Sequence, residues 1–145
     1  MPERTYTKLQ NHTLPDTNTW RQWGSTFDLA GASYRKAEIA SYLQKAIRAD
    51  QSDEPHGLAL VREPDNPHDH NAIAVHGWVG SPNQSAMIGY IPAEIATSIA
   101  EIPDMPVACK LYGVKTNNDY IDVILILMIP GKRDHFWNGR DDFPL

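Results

Sequence analysis

Asp69 stands between two imidazoles, His68 and His70, inside the stretch Arg62–Val75 that reads REPDNPHDHNAIAV. A carboxylate flanked in this way can do three kinds of chemistry. It can help bind a metal, orient a histidine base, or accept a hydrogen bond from a ligand hydroxyl. For a metal, His68 and His70 would point the same way on an extended segment, with His76 as a distant third donor. No further ligand stands at a recognised spacing, so the metal pattern is weak. For a hydrolase, His68 as base and Asp69 as its orienter would be neighbours in an extended chain and point apart, and no nucleophile lies nearby. The acceptor role asks least of the surroundings. Tyr34, Tyr90 and Tyr112 could be rim aromatics with buried rings and wet hydroxyls.

The segment that carries Asp69 is stiff by composition. Pro64 and Pro67 each fix their own φ and push the preceding residue toward extended geometry. Asp65, Asn66 and Asn71 are turn and cap formers whose side chains bond nearby backbone. Arg62 could pair with Glu63, Asp65 or Asp69 to brace the loop, and Asp69 could itself be a brace. Apolar residues flank the loop, Leu58 and Leu60 before it and Ile73 and Val75 after it. Thirteen residues beyond Val75 a second phrase begins, Ile88-Gly89-Tyr90-Ile91-Pro92.

In order and spacing these phrases resemble the HIRAN domain. The match rests on Gly31 with Tyr34, Arg62-Glu63-Pro64, Asn66-Pro67-His68-Asp69-His70-Asn71-Ala72-Ile73 and Gly89 to Pro92, and it covers about residues 26–130. The resemblance is to a standalone, bacterial-type HIRAN module, and it implies a small OB-like barrel that binds the 3′ end of single-stranded DNA. It also implies roles for the matching positions. Tyr34 would offer a ring for a base or a phenol for a phosphate, Asp69 would accept from the terminal 3′-hydroxyl, Tyr90 would lie beside the pocket, and Tyr112 would sandwich a base. A stacked base contributes about 1–3 kcal/mol without any reading of sequence. A carboxylate near DNA is repulsive unless it meets a donor, which suits Asp69 to a hydroxyl. The chain departs from the family pattern at two places. His68 stands where a Tyr is usual, a smaller ring that becomes charged below a pKa of about 6.5. Ser33 stands where repair-type members carry an Arg, so a phosphate clamp would have to come from Arg35, Arg62 or Lys110.

Composition narrows the partner. The chain has 145 residues, long enough for one domain with a real core but too short to hold an ATPase motor as well, and no Walker-type loop occurs. Its net charge is −5, and residues 27–115 carry seven Lys and Arg against eleven Asp and Glu. A wide phosphate-binding surface is normally basic. Any nucleic acid should therefore be held over a short length, by stacking and one or two cations. The single Cys109 excludes an intrachain disulfide and a four-cysteine zinc site and fits a reducing interior. No apolar run reaches membrane length and the start has no signal-peptide core, so a cytoplasmic protein without membrane contact is expected.

The periodicities predict a mainly β chain with two α-helices and about six strands, an OB-like β-barrel. Residues 1–25 read as a loosely held arm, with Trp20 and Trp23 folding back on the body, followed by a first strand Phe27–Gly31. Ile39, Leu43, Ala46 and Ile47 predict an amphipathic helix that begins near Ser33 or Tyr34, with Ser33 as N-cap. Strands are predicted at Leu58–Arg62, Ala72–Val75 and Met87–Ile91, then a helix opened by Pro92 and stopped by Pro103. A hairpin of Val107–Lys115 and Tyr120–Ile129 turns at Thr116–Asp119, its second strand apolar on both faces and therefore central. Residues 131–145 form a charged tail with Phe136, Trp137 and Phe143.

The expected function is a non-enzymatic module, without cofactor or catalytic residue, that captures single-stranded DNA 3′-hydroxyl ends and guides repair or remodelling machinery, with a helicase, ATPase or repair protein as partner. One alternative is a protein-interaction module of such a complex with a degenerate DNA pocket. The other is a metal-dependent phosphoesterase at DNA ends.

Overall fold

A computed structural model of the chain describes residues 5–8, 14, 19–116 and 121–131. Among these, strands β1 (Thr5–Lys8), β6 (Ala108–Thr116), β7 (Ile121–Pro130) and β2 (Trp20–Asp28) form one sheet in the order β1-β6-β7-β2. Strands β3 (His56–Arg62), β4 (Ile73–Val79) and β5 (Ser85–Tyr90) form a second sheet in that order. All pairings are antiparallel. Two helices, α1 (Lys36–Gln51) and α2 (Ala93–Ala100), complete the expected class, mainly β with two helices in an OB-like arrangement whose sheets do not close into a ring. No helix among the described residues is long and apolar enough to cross a membrane.

Two stretches differ from expectation. The segment read as an arm contributes β1 and most of β2, with Trp23 buried in the core. Its strand character is hidden because β2 shifts register between Trp23 and Phe27, around Gly24 at φ 81°, which breaks the two-residue alternation. The predicted N-cap Ser33 sits instead in a single 3-10 turn, Ala32–Tyr34. Gly31, left-handed at φ 78°, opens that turn, and α1 starts only at Lys36. The turn delays the start of the helix and leaves Tyr34 90% exposed. Residues 117–120, which hold most of the predicted hairpin turn, and the tail residues 132–145 lie outside the described part.

The core lies between the sheets and under α1. Ile39, Leu43 and Ala46 of α1 meet Val75, Ile88, Leu111, Leu125 and Leu127, all buried. Each such aliphatic side chain contributes about 1.5–3 kcal/mol by leaving water. Strand β7 is central as expected, between β6 and β2. Tyr42 packs its ring flat over Gly77, so closely that a Cβ there would lie 2.6 Å from it, and its phenol donates to the Gly57 carbonyl at 2.9 Å. Burial pushes that phenol well above the ordinary tyrosine pKa. The buried His56 ties the end of α1 to β3, with Nδ1 2.9 Å from the Glu54 carbonyl and Nε2 3.4 Å from the Asp50 carboxylate.

A backbone bridge joins the two sheets beyond the end of β2. Beyond β2, the Leu29 amide donates to the Val123 carbonyl at 2.9 Å. The next residue, Ala30, exchanges a pair of hydrogen bonds with Tyr90 at 2.9 and 3.0 Å. This seam sets the edge of β5 beside Gly31 and the turn that follows.

Candidate nucleic-acid interface

The phrase Gly89-Tyr90-Ile91-Pro92 acts residue by residue at this seam. A Cβ on Gly89 would lie 2.7 Å from the Ala30 carbonyl oxygen and the Leu29 side chain, so only glycine lets the seam close. Ile91 is buried, and its amide donates to the Ile73 carbonyl at 3.0 Å. Pro92 caps α2, accepting from the Ile95 and Ala96 amides at 3.0 and 2.9 Å. Tyr90, half-exposed, is left to face outward.

Its phenol donates to Glu63 Oε1 at 3.0 Å, twenty-seven residues away in sequence. The same oxygen accepts from Asn66 Nδ2 at 3.0 Å. Asn66 Oδ1 in turn accepts from the backbone amides of His68 and Asp69, at 2.9 and 3.2 Å. Asp69 Oδ1 accepts from the Asn71 amide at 2.9 Å. The loop is closed at its base, where the Glu63 amide donates to the Ala72 carbonyl at 2.9 Å. One chain of hydrogen bonds therefore runs from Tyr90 through Glu63 and Asn66 to the segment bearing His68 and Asp69. Asn66 does the turn work expected of it and Asp69 braces the loop with one oxygen, while Asn71 contributes its backbone amide; no hydrogen bond among the described residues occupies Asp69 Oδ2.

Arg35 lies close enough to Tyr90 for its charge to act on the phenol. Desolvation raises the Tyr90 pKa, the Glu63 hydrogen bond and charge raise it further, and Arg35 opposes them. Tyr34 and Arg35 follow directly from the Gly31 turn, so the exposed ring, the cation, the phenol and the proline loop share one corner of the molecule.

The other predicted residues fall elsewhere. Arg62 makes no ion pair among the described residues, so it does not brace the loop. It pairs in register with Ile73, while Tyr90 pairs with Ala74, so the pleat sends the two side chains to opposite faces. Arg62 lines a recess of about 300 Å³ with Leu60, Ile73, Ile99 and Val107. Lys110 and Tyr112 stand half-buried on β6, in the other sheet, and the corner is built without them. Among the three candidate cations, Arg35 is the one that acts on Tyr90. His68, His70 and His76 are not gathered into a donor set: no group of three or more metal-binding side chains occurs among the described residues. Glu63 is the site residue that sequence reasoning missed. Its position inside Arg-Glu-Pro was visible, but its partner across the sheet was not.

The model of the HIRAN domain matches residues 25–115. The chain belongs to the HIRAN family. Comparison with curated proteins and with solved structures gives no significant match. Family membership supports a DNA-binding module of a generally non-catalytic kind. The matched span includes every residue of the corner and the Ala30–Tyr90 pair that builds it.

Proposed function

We propose that this HIRAN chain captures the 3′-hydroxyl end of single-stranded DNA at the corner formed by Tyr34, Arg35, Tyr90 and the loop carrying His68 and Asp69. One observation carries the reading: the seam at Ala30–Tyr90 and the hydrogen-bond chain through Glu63 bring a 90% exposed ring, a cation and a carboxylate with an open oxygen to one place on an otherwise acidic protein. Tyr34 stacks on a terminal base, Arg35 meets a phosphate near the end, and Asp69 Oδ2 accepts from the terminal hydroxyl. Lys110, Tyr112 and Arg62 lie away from the corner, toward where the strand leaves it. With few phosphates engaged, the net charge of −5 is no obstacle. Bound in this way, the module delivers a helicase, ATPase or repair partner to exposed ends.

An end-binding site needs an end. A short linear oligonucleotide with a 3′-hydroxyl should bind clearly better than the same sequence closed into a circle or held as a blunt duplex. Equal affinity for the linear strand and the circle would remove the proposal. The acidic charge also favours a second reading, docking onto a protein partner with a degenerate DNA pocket; it predicts a co-purifying protein that is lost on deletion of Lys132–Leu145, with DNA binding absent throughout.

A further inference from the structure

We infer that Glu63 is a positioning residue that makes Tyr90 an acceptor toward the ligand, and so sets the preference of the corner for a hydroxyl-bearing end over a phosphate-bearing one. The inference rests on the function proposed above and assigns a determinant within that same site.

A phenol has a single proton, and an ionised carboxylate has none to give. In the 3.0 Å contact between Tyr90 and Glu63 Oε1 the proton must therefore belong to Tyr90 and point at Glu63. What remains on the Tyr90 oxygen is lone pairs. A ligand group meeting that oxygen has to bring a donor: the terminal hydroxyl has one proton, shared in a three-centre bond between Asp69 Oδ2 and the Tyr90 oxygen, and a terminal phosphate dianion has none. The arrangement is not a chance rotamer. Glu63 is held at its backbone by the Ala72 carbonyl and the Asn66 amide, at 2.9 and 3.0 Å. Its Oε1 is held by a second donor, Asn66 Nδ2, at 3.0 Å. The direction in which the Tyr90 pKa is moved, upward by burial and then by the bond and charge of Glu63, agrees with this geometry.

The test compares oligonucleotides ending in 3′-hydroxyl and 3′-phosphate on three variants, and follows the Tyr90 phenol by NMR with labelled tyrosine. In Glu63→Ala the phenol proton is released and can donate to phosphate, so the hydroxyl-over-phosphate ratio should fall about tenfold, the size of one charge-assisted hydrogen bond. The fall should come from tighter binding of the phosphate end. Glu63→Gln keeps a carbonyl oxygen able to accept from both Tyr90 and Asn66 while losing the charge, and should keep most of the preference. Tyr90→Phe should also lower the ratio, but by weakening the hydroxyl end. A merely structural role would weaken both ends equally. Loss of preference in Glu63→Gln as complete as in Glu63→Ala would assign the effect to charge and overturn the inference. So would a Glu63→Ala protein whose ratio and Tyr90 titration are both unmoved. If the wild-type protein binds neither end, the functional proposal fails, and the Tyr90 titration, which should drop in Glu63→Ala, still reads the latch by itself.

Discussion

Tyr42 and Tyr90 are the same side chain put to opposite uses. Tyr42 lies buried on α1, its ring pressed on Gly77 and its hydroxyl given to the Gly57 carbonyl. Both partners are backbone, so Tyr42 fastens α1 to β3 and β4. Tyr90 is half-exposed at the seam, and its hydroxyl is given to a side chain, Glu63, that also holds the proline loop. The glycines beside them repeat the contrast. Gly77 makes room for a ring inside the core, whereas Gly89 makes room for the backbone that joins the two sheets at the corner. The α1 side is scaffold, and the corner is a polar mechanism mounted on it.

The strongest perturbations should come from the glycines. Gly77→Ala and Gly89→Ala each force a Cβ into atoms that cannot retreat, and each should cost about 3 kcal/mol of stability by denaturant unfolding. They should part in binding. At a temperature where both variants are folded, Gly77→Ala should bind as wild type, while Gly89→Ala should bind poorly, because the seam beneath Tyr90 has moved. Equal binding by the two would erase the distinction between scaffold and corner.

The tyrosines give a smaller and sharper version of the same test. Tyr42→Phe leaves a buried carbonyl short of its phenol donor and should cost about 1–2 kcal/mol, with DNA affinity unchanged. Tyr90→Phe removes a half-exposed bond whose acceptor keeps Asn66 and can take water, and should cost no more than about 0.5 kcal/mol while weakening the hydroxyl end. A Tyr90→Phe protein that is destabilised like Tyr42→Phe and binds normally would make Tyr90 a structural residue.

Much of the corner could be read locally from the chain. The loop followed from Pro64, Pro67 and Asn66 because turn chemistry acts over two or three residues. The helix opening at Pro92 followed from proline's fit at a helix start. What escaped was set by pairing across the fold. Arg62 looked as good a cation as Arg35, and only the β3–β4 register, Arg62 opposite Ile73, turns it away. Glu63 looked like a partner for Arg62, and only the β4–β5 register brings Tyr90 within reach of it. Strand β2 was hidden by its bulge, and the start of α1 by a glycine conformation that composition does not display. One local reading of Asp69 needed no choice, since its two oxygens can serve as brace and as acceptor together.

The central claim is that ligand binding concentrates at the corner and spares the α1 scaffold, and amide chemical shifts measured during titration with a short 3′-hydroxyl oligonucleotide test it most directly. The account predicts that the amides of Gly31–Arg35, Glu63–Asn71 and Gly89–Tyr90 shift together, while Ser41, Tyr42, Gly77 and Trp78 stay in place. Shifts centred on the α1 face, with the proline loop and Tyr90 unmoved, would contradict it.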